Sequence, residues 1–212
     1  MARFLVVLDV DSTLIENEVI ELFAAEAGSL AAVAEITDRA MNGELDFAES
    51  LQARVATLKG LPASIADAVR SRVSVTTGVP QMIAGIHAAG GKVGAVSGGF
   101  HEILDPIAAS LGLDYWRANC LAVVDDQLTG EVSGDIVDAA AKASALQGWA
   151  LDCGVPLSRT IAVGDGANDL AMMAVAGLSI GFDAKPAVRA AADVLIDTRD
   201  LSQVLPLLGL RG

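Results

Sequence analysis

The sequence predicts an α/β protein, a parallel sheet covered by helices with a helical bundle inserted after its first strand. Three observations carry this. Residues 4–8 are apolar without alternation and run directly into Asp9 and Asp11, the pattern of a strand buried on both faces with acids at its carboxyl end. Residues 15–75 show helical periodicity and no strand signal. After Thr76-Thr77-Gly78 strand and helix patterns alternate to the end of the chain, as βα units do.

Composition sets the limits. The 212 residues are 53% hydrophobic but only 4% aromatic, so Ala, Val and Leu do the packing, which suits helices on a parallel sheet. A formal net charge of −13 argues against nucleic acid or an anionic membrane as partner, because both would be repelled. Cys120 and Cys153 form no disulfide framework or metal-ligand pattern, and a cytoplasmic location is expected. Asp9 and Asp11 interrupt any apolar leader, and no uncharged run approaches the roughly 18 residues of a membrane span.

Taken in order, the insertion reads as four helices: 16–27 ending at Gly28, 30–41 ending at Asn42-Gly43, 46–58 ending at Gly60, and 62–73. The expected division is therefore a core of 1–14 and 76–212 and a helical cap of 15–75, set above the carboxyl end of the sheet where it covers Asp9 and Asp11. A helix near 79–89, a strand at 92–96, a Ser97-Gly98-Gly99 turn and a helix at 100–111 follow. Residues 118–124 and 128–132 read as a hairpin and 138–152 as a helix. A strand at 160–163 opens into Gly164-Asp165-Gly166-Ala167-Asn168-Asp169, and a helix to Ala176 follows. A strand at 178–182, a short helix from Pro186, a strand at 194–197 and a last helix near 201–208 complete the chain.

Several residues suggest chemistry. Asp9 and Asp11 converge on one small volume at the sheet edge where α/β proteins bind ligands. Clustered carboxylates need a proton or a hard cation such as Mg²⁺; the plainer alternative is that Asp9 ends the strand and Asp11-Ser12-Thr13 caps a helix. Asp165 and Asp169 occupy the same topological position on a later strand. Ser97-Gly98-Gly99, between strand and helix, offers amides to an anion. Lys142 shares the apolar face of its helix with Leu146, Trp149 and Cys153 and sits at the wrong end of the dipole, so an anion beside it relieves both costs; otherwise its ammonium snorkels to water. Arg54 falls between Phe47, Leu51 and Leu58 on an apolar face and needs a carboxylate or phosphate partner. Glu18 suits a helix start, or an ammonium group.

Asp9-Val10-Asp11-Ser12-Thr13, Ser97-Gly98-Gly99-Phe100, Lys142 and the 164–169 loop together resemble the four motifs of haloacid dehalogenase superfamily phosphatases. Glu18, Asn42-Gly43, Phe47, Ser50-Leu51 and Arg54-Val55 are similar to the helical cap of the phosphoserine phosphatase branch, and Asp197-Thr198-Arg199-Asp200-Leu201 to its C-terminal segment. The resemblance implies a Rossmann-like, HAD-like fold. It implies Mg²⁺-dependent hydrolysis of O-phospho-L-serine to L-serine and phosphate, in serine biosynthesis. Asp9 would be the nucleophile and Asp11 the general acid and base. Asp9, the Asp11 carbonyl, Asp165 and Asp169 would form the metal site. Ser97, Gly98 and Lys142 would hold the phosphoryl group, Asn168 would position substrate, Glu18 would meet the ammonium and Arg54 the carboxylate. Members of the branch often carry an N-terminal regulatory domain, which this chain is expected to lack. The expected partner is the small phosphate ester, without nucleic acid or membrane, and the expected assembly a monomer or homodimer. Two rivals are a phosphatase or phosphotransferase of the same architecture for another small phosphate ester, and a non-catalytic signalling domain that keeps its aspartyl-phosphate.

Overall fold

The structure, a computed structural model, describes residues 2–41 and 44–210. Seven strands form one sheet: β1 (Leu5–Leu8), β2 (Lys92–Phe100), β3 (Tyr115–Val124), β4 (Gln127–Ser133), β5 (Thr160–Gly164), β6 (Leu178–Phe182) and β7 (Val194–Ile196), in the order β4-β3-β2-β1-β5-β6-β7. All neighbours are parallel except β3 and β4. The chain leaves β1 for β2 on one side and reaches β5 on the other. The carboxyl end of β1 is thus the point where strand order reverses, and crevices open there.

The five-residue apolar run makes β1 the centre of both layers. Its four residues are fully buried, and because side chains alternate across a strand, each pair serves one face. Val6 and Leu8 pack into a core with Phe23, Leu51, Met82, Ile103 and Val204, whereas Leu5 and Val7 pack with Leu146, Met172 and Val188. These partners come from helices α1 (Val19–Ala27), α3 (Phe47–Ala56), α5 (Val79–Ala88), α6 (His101–Leu111), α7 (Ala139–Cys153), α8 (Leu170–Val175), α9 (Pro186–Arg189) and α10 (Val204–Leu207). Helices α2 (Leu30–Met41) and α4 (Ile65–Arg70) complete the set.

Local signals fix the inserted helices. Gly28 ends α1 at φ 69°, and Asp46 caps α3 by accepting the Glu49 N–H at 2.8 Å while the Glu49 carboxylate accepts the Asp46 N–H at 2.9 Å. The expected stop at Asn42-Gly43 lies outside the described residues. An antiparallel bridge between Ile15 and Val75 joins the two ends of the insertion.

Tertiary contacts moved several boundaries. Helix α1 begins at Val19, not 16, because residues 10–14 form a wide turn in which Ser12 adopts φ 58° and the Ile15 N–H reaches the Val10 carbonyl at 3.0 Å. Helix α4 is shorter than the expected 62–73, because Pro62 bridges Gln127 and the Leu128 N–H donates to the Leu61 carbonyl at 2.8 Å. The hairpin tip is thereby stitched to the insertion. The Ser97-Gly98-Gly99 turn is corrected: β2 runs on through Phe100, and neither glycine has positive φ. Their missing side chains serve close approach. A Cβ on Gly98 would stand 2.8 Å from the Phe47 ring, and one on Gly99 3.2 Å from the Asp11 carboxylate.

Asn119 on β3 holds this unusual strand end. It is buried; its Nδ2 donates to the Gly98 carbonyl and its Oδ1 accepts the Val137 N–H, both at 2.8 Å. Asn119→Leu is therefore expected to leave two backbone groups without partners, at about 1–3 kcal/mol each. Thermal unfolding of the variant checks this, and a melting temperature equal to wild type would contradict the clamp.

Candidate active site

The acids of β1 and β5 meet where their strands end. Asp9 is buried at the close of β1, its Oδ1 accepting the Val10 N–H at 2.7 Å and the Lys142 ammonium at 2.6 Å. Oδ2 accepts no hydrogen bond among the described residues, and so is the oxygen left for other chemistry. Asp11 lies on the wide turn, and its Oδ1 is buried with no hydrogen-bond partner among the described residues. The turn is braced by Ser12, whose hydroxyl donates to Glu18 at 2.8 Å.

Lys142 is completely buried and its ammonium bridges Asp9 and Asp169, the latter at 2.8 Å. It does not snorkel; carboxylates supply the anions its position requires. Burial alone would lower its pKa, but the charges of Asp9 and Asp169 outweigh that and hold it above the ordinary lysine value. Both oxygens of Asp169 are engaged: the other accepts the N–H groups of Asp165 and Gly166, each at 3.1 Å, which folds the 164–169 loop onto itself. Carboxylate oxygens of Asp9, Asp165 and Asp169 lie within 4.8 Å of one another. The Asp11 carboxylate stands outside that cluster. Three buried hard-oxygen donors suit a divalent cation.

Crowding has an electrostatic signature. Burial, then the Asp169 charge, pushes the Asp9 carboxyl up to about 7 against the opposing pull of Lys142. Burial, with Glu18 and Asp9 nearby, pushes Asp11 well above the ordinary carboxylate range.

A cleft opens over these acids. Asp9, Asp11, Asp165, Asn168, Gly98 and Gly99 contribute from the sheet edge, and Glu18, Phe47, Leu51 and Arg54 from the inserted segment. Arg54 is half-buried; its Nε donates to the Ser50 carbonyl one turn back, at 3.2 Å. No carboxylate among the described residues forms an ion pair with it. Burial lowers its pKa, opposed by Glu18 and Asp11. Ser97 is buried beneath the cleft, its Oγ accepting the Gly99 N–H at 2.7 Å. The structure thus gathers all ten expected residues at one sheet edge, with Ser97, Lys142 and Asp169 forming a layer below the cleft wall.

Sequence reasoning missed three residues. Lys185 lines the cleft and pairs with Asp165 at 2.9 Å; its place just past the carboxyl end of β6 was the available signal. Asn119 had none, being one asparagine in a strand. Arg199 lay within a quoted motif without a role: it pairs with Asp183 at 2.7 Å and reaches the Ser12 carbonyl at 3.5 Å.

The raised pKa of Asp9 makes a stability prediction for the chain in chelator. Its folded value, about 7, exceeds its ordinary 3.8, so the folded state binds that proton more tightly. The stabilising protonated form is fully present below about pH 4 and lost as pH rises through about 7. Asp9→Asn is expected to raise the melting temperature at pH 8 by a few degrees, each kcal/mol being worth about 2–4 °C in a chain of this size. The gain should vanish near pH 4, and paired melts at the two pH values test it.

Comparison with known proteins agrees with this geometry. The chain is 54% identical to a phosphoserine phosphatase of Streptomyces coelicolor over 99% of its own length, and spans 51% of that relative. It is 52% identical to a phosphoserine phosphatase of Streptococcus thermophilus, over 96% of this chain and 95% of that one. Two solved structures superpose with TM-scores of 0.91 at 42% identity, covering 98% of this chain and 99% of theirs: a phospho-aspartyl intermediate analogue of phosphoserine phosphatase and a substrate-bound phosphoserine phosphatase complex. A family model described as haloacid dehalogenase-like hydrolase matches residues 6–174, and with the acid-lined crevice at the end of β1 this establishes that the chain belongs to the haloacid dehalogenase-like hydrolases.

Proposed function

We propose that the chain is a phosphoserine phosphatase, converting O-phospho-L-serine to L-serine and inorganic phosphate in serine biosynthesis. The observation that carries the substrate assignment is Arg54, a half-buried guanidinium on the cleft wall without a carboxylate partner among the described residues. A desolvated cation in that position is matched by the substrate's carboxylate. Glu18, across the same cleft, takes the ammonium. The segment 15–75 acts as a cap, and residues 1–14 and 76–212 as the catalytic core.

In the first step Asp9 Oδ2 attacks phosphorus, the bond to the serine oxygen breaks, and Asp11 gives that oxygen its proton. The elevated pKa of Asp11 suits a group that must enter the reaction protonated. Asp11, now ionised, takes a proton from water as the water oxygen attacks phosphorus. Phosphate leaves and the Asp9 carboxylate is restored. One difficult hydrolysis thereby becomes two easier transfers. Lys142 holds Asp9 Oδ1 and so fixes which oxygen attacks. Ser97, the Gly98 amide and Lys142 stabilise the phosphoryl oxygens, and Asn168 positions substrate. Asp9, Asp165 and the Asp11 carbonyl would hold Mg²⁺, with Asp169 orienting its waters; when bound, the ion lowers the Asp9 pKa and offsets repulsion between carboxylates and phosphate. The proposed assembly is a monomer or homodimer. Two cysteines that form no disulfide framework support a cytoplasmic enzyme, the charge of −13 supports the absence of nucleic-acid or anionic-membrane partners, and no helix among the described residues is long and apolar enough to cross a membrane.

Two measurements test this reading. Chelation of divalent metal should stop phosphate release, and added Mg²⁺ should restore it; full turnover in metal-free buffer would refute the site. Arg54→Ala should lower kcat/KM for phosphoserine by roughly 30-fold to several thousand-fold, the effect of about 2–5 kcal/mol for a lost charged partner at a desolvated site. Hydrolysis of an aryl phosphate without a carboxylate should change far less. An unchanged ratio of the two specificity constants would remove Arg54 as carboxylate reader.

A further inference from the structure

The cleft is lined by one ammonium group among the described residues, that of Lys185, which the reaction above does not use. Lys185 follows β6 where Asp183, at φ 42°, turns the chain. Its N–H donates to the Asp165 carbonyl and its Nζ pairs with Asp165 Oδ2, both at 2.9 Å. The two halves of this pair differ sharply. The lysine side chain is 61% exposed, whereas the Asp165 side chain is 7% exposed. Lys142 is the opposite case, fully buried and fixed by two carboxylates.

The carboxylate that Lys185 covers belongs to the cluster of Asp9, Asp165 and Asp169. A cation entering that cluster and the Lys185 ammonium therefore compete for the same group. The lysine can be displaced because its own side chain lies largely in water, and four rotatable bonds let the ammonium swing while the backbone stays hydrogen-bonded to Asp165. Once displaced, the ammonium remains at the cleft mouth beside Asn168, where an anionic ligand enters a protein of strongly negative charge.

We propose that Lys185 is a positioning residue that exchanges partners: it neutralises Asp165 while the acid cluster holds no cation, yields that carboxylate when a divalent cation binds, and turns its ammonium to the phosphate of the substrate. The inference rests on the reading of the cluster as a divalent-cation site in a phosphatase. It predicts effects of opposite sign, which a merely structural lysine would not produce.

The test is calorimetric titration of the purified chain with Mg²⁺ alone, then with inorganic phosphate at saturating Mg²⁺, for wild type, Lys185→Met and Lys185→Arg. Lys185→Met should bind Mg²⁺ about three- to tenfold more tightly, having lost the competitor, and phosphate about three- to tenfold more weakly. Lys185→Arg, which keeps the charge, should stay within about twofold of wild type for both ligands. A Lys185→Met chain whose Mg²⁺ affinity is unchanged or weaker, or whose phosphate affinity is unchanged, overturns the exchange even though wild type binds Mg²⁺. A wild type that binds no Mg²⁺ overturns the cation-site reading and the exchange with it. A thermal melt in chelator, with Lys185→Arg folded as wild type, separates either result from loss of the fold.

Discussion

The site depends on one buried ion triad, the Lys142 ammonium between Asp9 and Asp169. A charge removed from water costs several kcal/mol unless it is paired and hydrogen-bonded, and here both conditions are met by groups from three separate parts of the chain. The triad ties the end of β1 to α7 and to the loop after β5, which brings the two acid-bearing strand ends together. Removing one carboxylate would leave the ammonium with a single anionic partner, and removing the lysine would leave Asp9 and Asp169 crowded without the charge that bridges them. The same contact leaves only one Asp9 oxygen available, so the interaction that holds the fold together at this point also selects the reactive atom.

The triad does not balance the site. Asp9, Asp11, Asp165 and Asp169 meet two ammonium groups, Lys142 and Lys185, and burial, with neighbouring carboxylates adding to it, raises the pKa values of Asp9 and Asp11. That is a costly arrangement for stability and a useful one for catalysis. A carboxyl kept protonated by burial is an acid at neutral pH, and a cluster short of positive charge binds a divalent cation.

The cleft is a joint product of sheet edge and insertion. Two glycines on β2 let the Phe47 ring and the Asp11 carboxylate approach the strand, and Asn119 holds the Gly98 peptide from the other side. The β3–β4 hairpin is bonded to residues 60–63 of the insertion, through the Gly60 and Ala63 N–H groups at 2.8 Å to Leu128 and Asp126. A division drawn only from sequence leaves that hairpin with the core. Its tip instead braces the segment that carries Arg54 over the acids.

The sequence alone determined the order of elements and pointed to most of the residues that meet at the cleft, because those signals are local. An unbroken apolar run ending in Asp9 marks a central strand, and a lysine on an apolar helix face demands an anion wherever it lands. Helix ends at Gly28 and Asp46 were equally legible, since their caps bond within a few residues. Only the tertiary structure decided what long-range partners impose. It extended β2 through two glycines, shortened α4 by pairing Pro62 with Gln127, and gave Lys142 carboxylates as partners. It also recruited Lys185 and Asn119, whose roles exist only through Asp165 and Gly98. Local pattern specifies which groups must be satisfied; the identity of the partner, often more than 100 residues away as Lys142 is from Asp9, is fixed only when the layers pack.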